Sequence, residues 1–155
     1  MFAKILVPLD GSALAERALK LAFTIAKKFK SEILLLRVAA SEEVVVSLPA
    51  LTPHAYRLHN AGECQGEADV YLHSLQTRWL ESGVPVYTEV LRGAPPEMIV
   101  AVANEQQVDL IVMSTHGRSG FDRLIYGSVA EAVMRGAHVP VLMVPNPAEA
   151  DAERR

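Results

Sequence analysis

Two glycine-punctuated segments contain residue types that could do chemistry. Residues 8–12 read PLDGS, and residues 114–128 read STHGRSGFDRLIYGS between a short apolar run and a helix-start signal at Gly127-Ser128. A strand, a glycine loop and a helix start hold an anion through backbone N–H groups and the helix dipole. Glycine suits such a loop because no Cβ blocks the ligand. The second segment is therefore predicted to be a phosphate-binding loop.

The spacing of these glycines matches neither of the two common phosphate-binding motifs. A Walker loop needs G-x-x-x-x-G-K-[ST], and a dinucleotide-binding fold needs G-x-G-x-x-G directly after a strand. His116 is either a ligand contact or a loop histidine bonded to its own backbone. A general-base role for it lacks a nucleophile or a paired carboxylate beside it in the sequence. The residues alone thus indicate binding, not a particular reaction.

Other candidate residues have structural alternatives. Asp10 precedes a glycine and is also a good turn former. Ser128 and Glu131 fit a capping box, in which the serine hydroxyl bonds the third helical amide and the glutamate reaches back. Arg118 and Arg123 can contact phosphate or simply be solvated. Both interpretations stay open at each of these positions.

Length, charge and cysteine content narrow the class of protein. The 155 residues are half apolar and 21% charged, with a net charge of −3, which fits one folded domain without a basic face for nucleic acid or anionic membranes. Neither a signal peptide nor a membrane span is expected, and Cys64 is the single cysteine, so we expect a cytoplasmic protein. His54 and His59 near Cys64 lack a carboxylate framework and are interpreted as surface residues, not a metal site.

Hydrophobic periodicity and turn residues predict alternating strands and helices. The predicted strands are Lys4–Leu9, Glu32–Val38, an edge strand Val84–Leu91, Asp109–Met113 and Pro140–Val144. Four helices are predicted. The first is capped by Ser12 and has apolar positions Leu14, Ala18, Leu21, Ala22, Ile25 and Phe29, and the second is Glu67–Glu81 with an apolar stripe that includes Val70, Trp79 and Leu80. The third begins at Pro95-Pro96, and the fourth is Ser128–Arg135 with Gly136 as its C-cap. Residues 40–66 are expected to form a long connection with a short helical piece near Ala55–Asn60.

Five strands alternating with four helices predict an α/β fold, a doubly wound parallel sheet with helices on both faces. Residues 1–147 form the predicted single domain, and residues 148–155 a solvated tail. Ligands of such sheets bind beyond the carboxyl ends of the strands, where the strand order reverses. If the first and fourth strands are neighbours, residues 8–12 and 114–117 line one crevice.

The sequence resembles the universal stress protein family over nearly its whole length. ILVPLDGSALAERAL, from Ile5, is similar to that family's opening strand, acidic residue and helix start. MSTHGRSGFDRLIYGSVAEAVMRGAHVPVLMV, from Met113, resembles its closing motif. ATP-binding members carry G-x2-G-x9-G-[ST]; Gly117, the nine residues after it and Gly127-Ser128 fit this pattern, whereas Ser114 stands at the first glycine.

The resemblance implies the strand order 3-2-1-4-5 and a homodimer that pairs through Val141–Val144. It also implies ATP, or AMP or ADP, held between the loops after the first and fourth strands, with Mg²⁺ near Asp10, and a role in stress response or signalling. The implied site residues are Pro8, Asp10, Val38 and Met113 around the base and ribose, and Ser114, His116, Gly117, Arg118, Gly127, Ser128 and Val129 around the phosphates.

Two alternatives compete with ATP binding. A serine Cβ at position 114 narrows the approach to the ligand and makes a positive φ costly. This change permits a nucleotide-free interaction module of the same fold. A slow ATP hydrolase is less favoured, because the sequence offers no Walker lysine and no dense carboxylate metal site.

Overall fold

A computed structural model of the chain describes residues 2–39, 44–46, 56–58, 63–115 and 127–145. The strands are Lys4–Leu9 (β1), Glu32–Ala39 (β2), Val44–Val46 (β3), Tyr56–Leu58 (β4), Val86–Arg92 (β5), Leu110–Ser114 (β6) and Val141–Val144 (β7). The helices are Ala13–Phe29 (α1), Glu63–Arg78 (α2), Pro95–Glu105 (α3) and Ser128–Gly136 (α4), with a 3-10 helix at Leu80–Ser82. The tail at residues 148–155 lies outside the described residues, so the single-domain assignment stays a prediction.

The main sheet has five parallel strands in the order β5-β2-β1-β6-β7. Counting only the strands of this sheet, the order is 3-2-1-4-5, which confirms the prediction. Strand order reverses between β1 and β6, whose partner pairs are Ile5 with Leu110 and Leu6 with Ile111. The carboxyl ends of these two strands, where residues 8–12 and 114–115 lie, therefore flank the switch point of the sheet.

Two hydrophobic clusters cover the two faces of the sheet. Alternate residues of each strand point to opposite faces, so Ile33 and Leu35 pack with α1 and α2, while Leu34 and Leu36 pack with α3 and α4. Burial on both faces explains why the central strands are continuous apolar runs. Trp79 belongs to the first cluster and stacks on Phe23 with ring centroids 4.0 Å apart, which confirms its predicted place in the core.

Helix α1 begins as predicted, but its buried face differs from the predicted stripe. The Ser12 hydroxyl accepts from the Ala15 N–H at 3.1 Å, the expected N-cap. Of the predicted stripe, Ala18 and Ala22 are buried and Leu21 is exposed. The buried face consists of Ala15, Ala18, Leu19, Ala22, Phe23 and Ala26. The predicted stripe left out Leu19 and Phe23, the largest residues of the buried face, so its centre was wrong.

The segment between β2 and α2 differs from the prediction. Residues 44–46 and 56–58 pair as an antiparallel two-stranded sheet, so the short helix expected near Ala55–Asn60 is wrong. Val44, Val45 and Val46 favour a strand, and a strand partner decides the conformation of residues 56–58. Helix α2 also begins at Glu63, four residues earlier than predicted, and Val70 and Leu80 of its expected stripe are each 71% exposed.

Two smaller features complete the architecture. Gly136 is the last residue of α4 and not its C-cap, which is Ala137 in an extended conformation. A Cβ on Gly136 would lie 3.3 Å from the Val100 side chain, so the glycine serves the close approach of α3 and α4 and not a left-handed turn. Among the described residues, no helix is both long and apolar enough to cross a membrane.

Candidate functional site

A cavity of about 370 Å³ lies at the switch point of the sheet. Its walls come from the ends of β1, β2 and β6 and from the starts of α3 and α4. Eight of the residues singled out from the sequence line it: Pro8, Asp10, Val38, Met113, Ser114, Gly127, Ser128 and Val129. That these residues bind a ligand stays a prediction, but the structure brings them to one place.

Leu9 and Thr115 also line the cavity, from the two loops predicted to flank the crevice. Five further lining residues were missed by sequence reasoning: Ala15, Leu36, Pro95, Ile99 and Ala130. Of these, Pro95 and Ile99 belong to α3, and Pro95 was predicted only to begin a helix. Their place in the wall follows from α3 packing over the β2 end of the sheet, which no local sequence signal reports.

Three predicted phosphate contacts, His116, Gly117 and Arg118, lie outside the described residues, as do Gly120 and Arg123. The residues on either side of this gap are held together. The Gly127 N–H donates to the Thr115 carbonyl at 2.8 Å, and the Thr115 N–H donates to the Val144 carbonyl at 3.1 Å. The end of β6 is thereby joined to the start of α4, beside the cavity.

The Asp10 carboxylate organises the turn after β1. Its Oδ1 accepts from the Ser12 N–H at 2.9 Å and from the Ser12 hydroxyl at 2.6 Å. Gly11 between them has φ +84°, a left-handed conformation that favours glycine. Asp10 is therefore a turn former that also lines the cavity, and its binding role stays a prediction.

Ser114 does not carry the backbone strain expected of a serine at a glycine position. It is the last residue of β6 and pairs with Val144 in the sheet. The positive-φ residues other than glycine in the described part of the chain are Lys30 and Gln107. The serine is therefore accommodated without a positive φ, and it is one of the residues that line the cavity.

The capping-box interpretation of Ser128 is wrong. The N-cap of α4 is Gly127, with φ −53° and ψ 149°, and Ser128 is the first helical residue. Glu131 is therefore the fourth helical residue, whereas a capping box needs the glutamate at the third. Its N–H donates to the Gly127 carbonyl, and its carboxylate forms an ion pair with Arg135. Ser128 is instead part of the cavity wall.

The start of α4 gives the cavity its character as an anion site. The N–H groups of the first helical turn have no carbonyl partner within the helix, and the dipole makes this end positive. Gly127 has no side chain that could cap them, and residues 127–130 all line the cavity. Other parts of the cavity wall are apolar and are formed by Leu36, Val38 and Ile99. The cavity can thus take a ligand with an apolar ring and an anionic group.

The chain does not build a metal centre of its own from the residues described. Within ranges 2–39, 63–115 and 127–145, no three His, Cys, Asp or Glu side chains come together to hold a metal ion. His54 and His59 lie outside the described residues, and Cys64 lies in the first turn of α2. Among the described residues that line the cavity, Asp10 is the one with a carboxylate, which suits Mg²⁺ because this ion is often held by one carboxylate together with substrate phosphates.

Comparison with known proteins assigns the family. The model of the universal stress protein family matches residues 1–145. The chain belongs to the universal stress protein family. It is 37% identical over 147 residues to the universal stress protein MJ0531 of Methanocaldococcus jannaschii, covering 95% of this chain and 84% of that protein.

Solved structures of family members share the fold. The structure of hypothetical protein MJ0577 superposes with a TM-score of 0.78 at 27% identity, covering 94% of this chain and 97% of that one. A universal stress protein in complex with cAMP superposes with a TM-score of 0.67 at 23% identity, covering 93% and 97%. This chain thus shares its fold with solved members of the family.

Proposed function

We propose that this universal stress protein binds an adenine nucleotide in the cavity between β1 and β6, and that it acts in stress response or signalling. One observation carries the proposal: the turn at Asp10 and the start of α4 line the same cavity, whose remaining walls are largely apolar. A nucleotide has this same division into an apolar ring, a hydroxylated sugar and an anionic tail. Pockets of about 300–1,000 Å³ hold ligands of this size.

The ligand is oriented by the two kinds of wall. Pro8, Val38 and Met113 surround the base and ribose, and Asp10 accepts a hydrogen bond from a ribose hydroxyl or an exocyclic amine. The phosphates lie at Ser114 and at the amides of residues 127–129; the other proposed phosphate contacts, His116, Gly117 and Arg118, lie outside the described residues. When Mg²⁺ accompanies the nucleotide, Asp10 is the residue that faces it.

The sequence supports a nucleotide over an unrelated anion, because the family pattern of ATP-binding members is retained at Gly117, Gly127 and Ser128. The proposed compartment is the cytoplasm, and the proposed assembly is a homodimer through β7.

Isothermal titration with ATP, ADP and AMP, with and without Mg²⁺, tests the proposal. We expect at least one of these nucleotides to bind with a dissociation constant in the micromolar range. Adenosine is expected to bind more weakly, because it lacks the group that the start of α4 attracts. Absence of binding by all three nucleotides up to millimolar concentration overturns the proposal.

The nucleotide-free alternative rests on the serine at position 114, a residue that lines the cavity. Ser114→Gly separates the two functions. If the natural protein binds ATP and Ser114→Gly changes its affinity only a few-fold, the serine is compatible with the ligand. If only the glycine variant binds, the natural protein is an interaction module with a blocked site.

A further inference from the structure

The guanidinium of Arg37 lies against the α-carbon of Gly11. A Cβ built on Gly11 would meet three guanidinium atoms, closest to Nη1, then 3.1 Å from Cζ and 3.3 Å from Nη2. Arg37 lies on β2 in register with Leu9 of β1, one residue before the turn. An alanine at position 11 would therefore both strain a φ of +84° and displace this guanidinium.

A series of contacts with α2 and α1 supports the position of Arg37. Its Cζ lies 5.3 Å from the centroid of the Tyr71 ring on α2. The Tyr71 hydroxyl donates to Glu16 of α1 at 3.1 Å, and the other Glu16 oxygen accepts from Arg78 at 2.9 Å. Burial, and then the neighbouring Glu16 carboxylate, raise the pKa of Tyr71, so the hydroxyl remains a donor throughout the physiological range.

Arg37 is placed to act on the turn and not on the ligand. Leu36 and Val38, its neighbours on β2, line the cavity, whereas Arg37 points to the opposite face of the sheet toward α2. The turn at residues 10–12 lies between Arg37 and the cavity. It carries the Asp10 carboxylate, which accepts two hydrogen bonds from Ser12. Whatever fixes the Gly11 α-carbon also fixes the direction in which Asp10 faces the cavity.

We propose that Arg37 is a positioning residue of the nucleotide site, one that holds the turn at residues 10–12 by packing its planar cation on Gly11. This proposal rests on the proposed function. The cation has a second effect, because it partly offsets the charge of Asp10, which would otherwise repel the phosphates of the ligand. Preorganising a binding turn raises affinity by reducing what must be ordered when the ligand binds.

Arg37→Gln tests the role of this cation in binding. The variant shortens the side chain and removes the planar cation from Gly11, and we expect its affinity for ATP with Mg²⁺ to fall between about threefold and about thirtyfold by titration calorimetry. Arg17→Gln is the matched control, since Arg17 is exposed on α1 and the substitution removes the same charge. Equal affinities of Arg37→Gln and the natural protein overturn the proposal.

A measurement without ligand separates this proposal from the proposed function. Hydrogen exchange of the Ser12 amide reports the turn directly, because this N–H donates to Asp10. In the ligand-free protein we expect Arg37→Gln to speed this exchange about tenfold or more, with no change in Arg17→Gln. If the natural protein binds no nucleotide, the proposed function fails, and unchanged Ser12 exchange would show that Arg37 does not hold the turn either.

Arg37→Lys distinguishes positioning from charge alone and serves as the second variant should Arg37→Gln unfold. Lysine keeps the positive charge and a long stem but lacks the flat guanidinium. We expect Arg37→Lys to show faster Ser12 exchange and only partial recovery of ATP affinity. Full recovery of both quantities would mean that any cation suffices, which contradicts the packing role.

Discussion

At the scale of single residues, Asp10 combines a structural and a proposed binding role. Its carboxylate accepts from the Ser12 N–H and hydroxyl, and the same residue lines the cavity. Asp10→Ala removes the oxygen that accepts both hydrogen bonds, so we expect the free energy of unfolding to fall by about 1–2 kcal/mol in urea titrations. ATP affinity is expected to fall at least about tenfold by calorimetry. Unchanged affinity would show that Asp10 serves the turn alone.

Asp10→Asn is the control for this prediction. The amide oxygen can still accept from Ser12, so stability is expected to stay within about 0.5 kcal/mol of the natural protein. The charge is lost, and any contribution of Asp10 to Mg²⁺ is lost with it. We therefore expect the magnesium dependence of ATP binding to weaken in Asp10→Asn, and a full dependence would contradict a metal-facing role.

Lys30 offers a stability test that is independent of the site. It ends α1 in a left-handed conformation, φ 58° and ψ 42°, and the following Ser31 N–H donates to the Ala26 carbonyl. Glycine adopts this conformation without a Cβ penalty, so Lys30→Gly is expected to raise the free energy of unfolding by about 0.5–1 kcal/mol. Lys28→Gly, two residues earlier within the helix, is expected to lower it by a similar amount. Destabilisation by both variants would contradict this account of the cap.

The residue types of the site were largely predictable from the sequence, but their backbone states were not. Motif spacing singled out Asp10, Ser114 and Ser128, and all three line the cavity. The conformation of Ser114 depends on its partner Val144, thirty residues away in the chain. The cap position of α4 depends likewise on the hydrogen bond between Gly127 and Thr115. A local sequence pattern does not report such long-range partners.

At the scale of elements, the ends of strands and the starts of helices form the cavity. A larger side chain in its wall therefore tests whether the ligand binds there. Val38 lines it from the end of β2 and is half-buried. Val38→Phe adds a ring to the wall where the base is proposed to lie. We expect ATP affinity to fall at least about tenfold, at a stability cost of about 1–3 kcal/mol for overpacking. Val38→Ala, which enlarges the cavity, controls for the loss of valine. Undiminished ATP affinity in Val38→Phe would place the ligand elsewhere.

Elements with long, regular patterns were predicted well, and those shaped by packing were not. β1 has the predicted bounds Lys4–Leu9, since an apolar run followed by Asp10-Gly11 is a local signal. The stripe of α1 was misplaced because apolar residues occur on more than one side of this helix, and packing on the sheet selects the side with Leu19 and Phe23. The antiparallel pair β3 and β4 was missed because three-residue strands depend on their partner and not on periodicity.

At the scale of the whole molecule, the sheet order explains why two motifs more than a hundred residues apart can form one site. β1 and β6 are neighbours only because the chain crosses back to the other side of β1 after β5. The order 3-2-1-4-5 was implied by the family resemblance. Periodicity alone predicted a parallel sheet and a crevice, without fixing which strands flank it.

The same order leaves β7 at an edge of the sheet, where we propose that a second copy pairs. The carbonyls of Pro140 and Val144 accept from β6, so Val141 directs its N–H and carbonyl toward the open edge. An unpaired edge of apolar residues is an aggregation hazard unless it is covered. By light scattering coupled to size exclusion, we expect the natural protein to have twice the chain mass of 16.9 kDa.

Val141→Pro tests the role of this edge in dimerisation. Proline at the first residue of an edge strand removes the outward N–H without breaking a bond to β6. We expect the dimer to dissociate toward monomer with the fold retained by circular dichroism. Val141→Ala, which removes the side chain but keeps the N–H, is expected to remain dimeric. Because the cavity lies on the far side of β6 from this edge, ATP affinity should be similar in both variants; a fully dimeric Val141→Pro would place the dimer interface elsewhere.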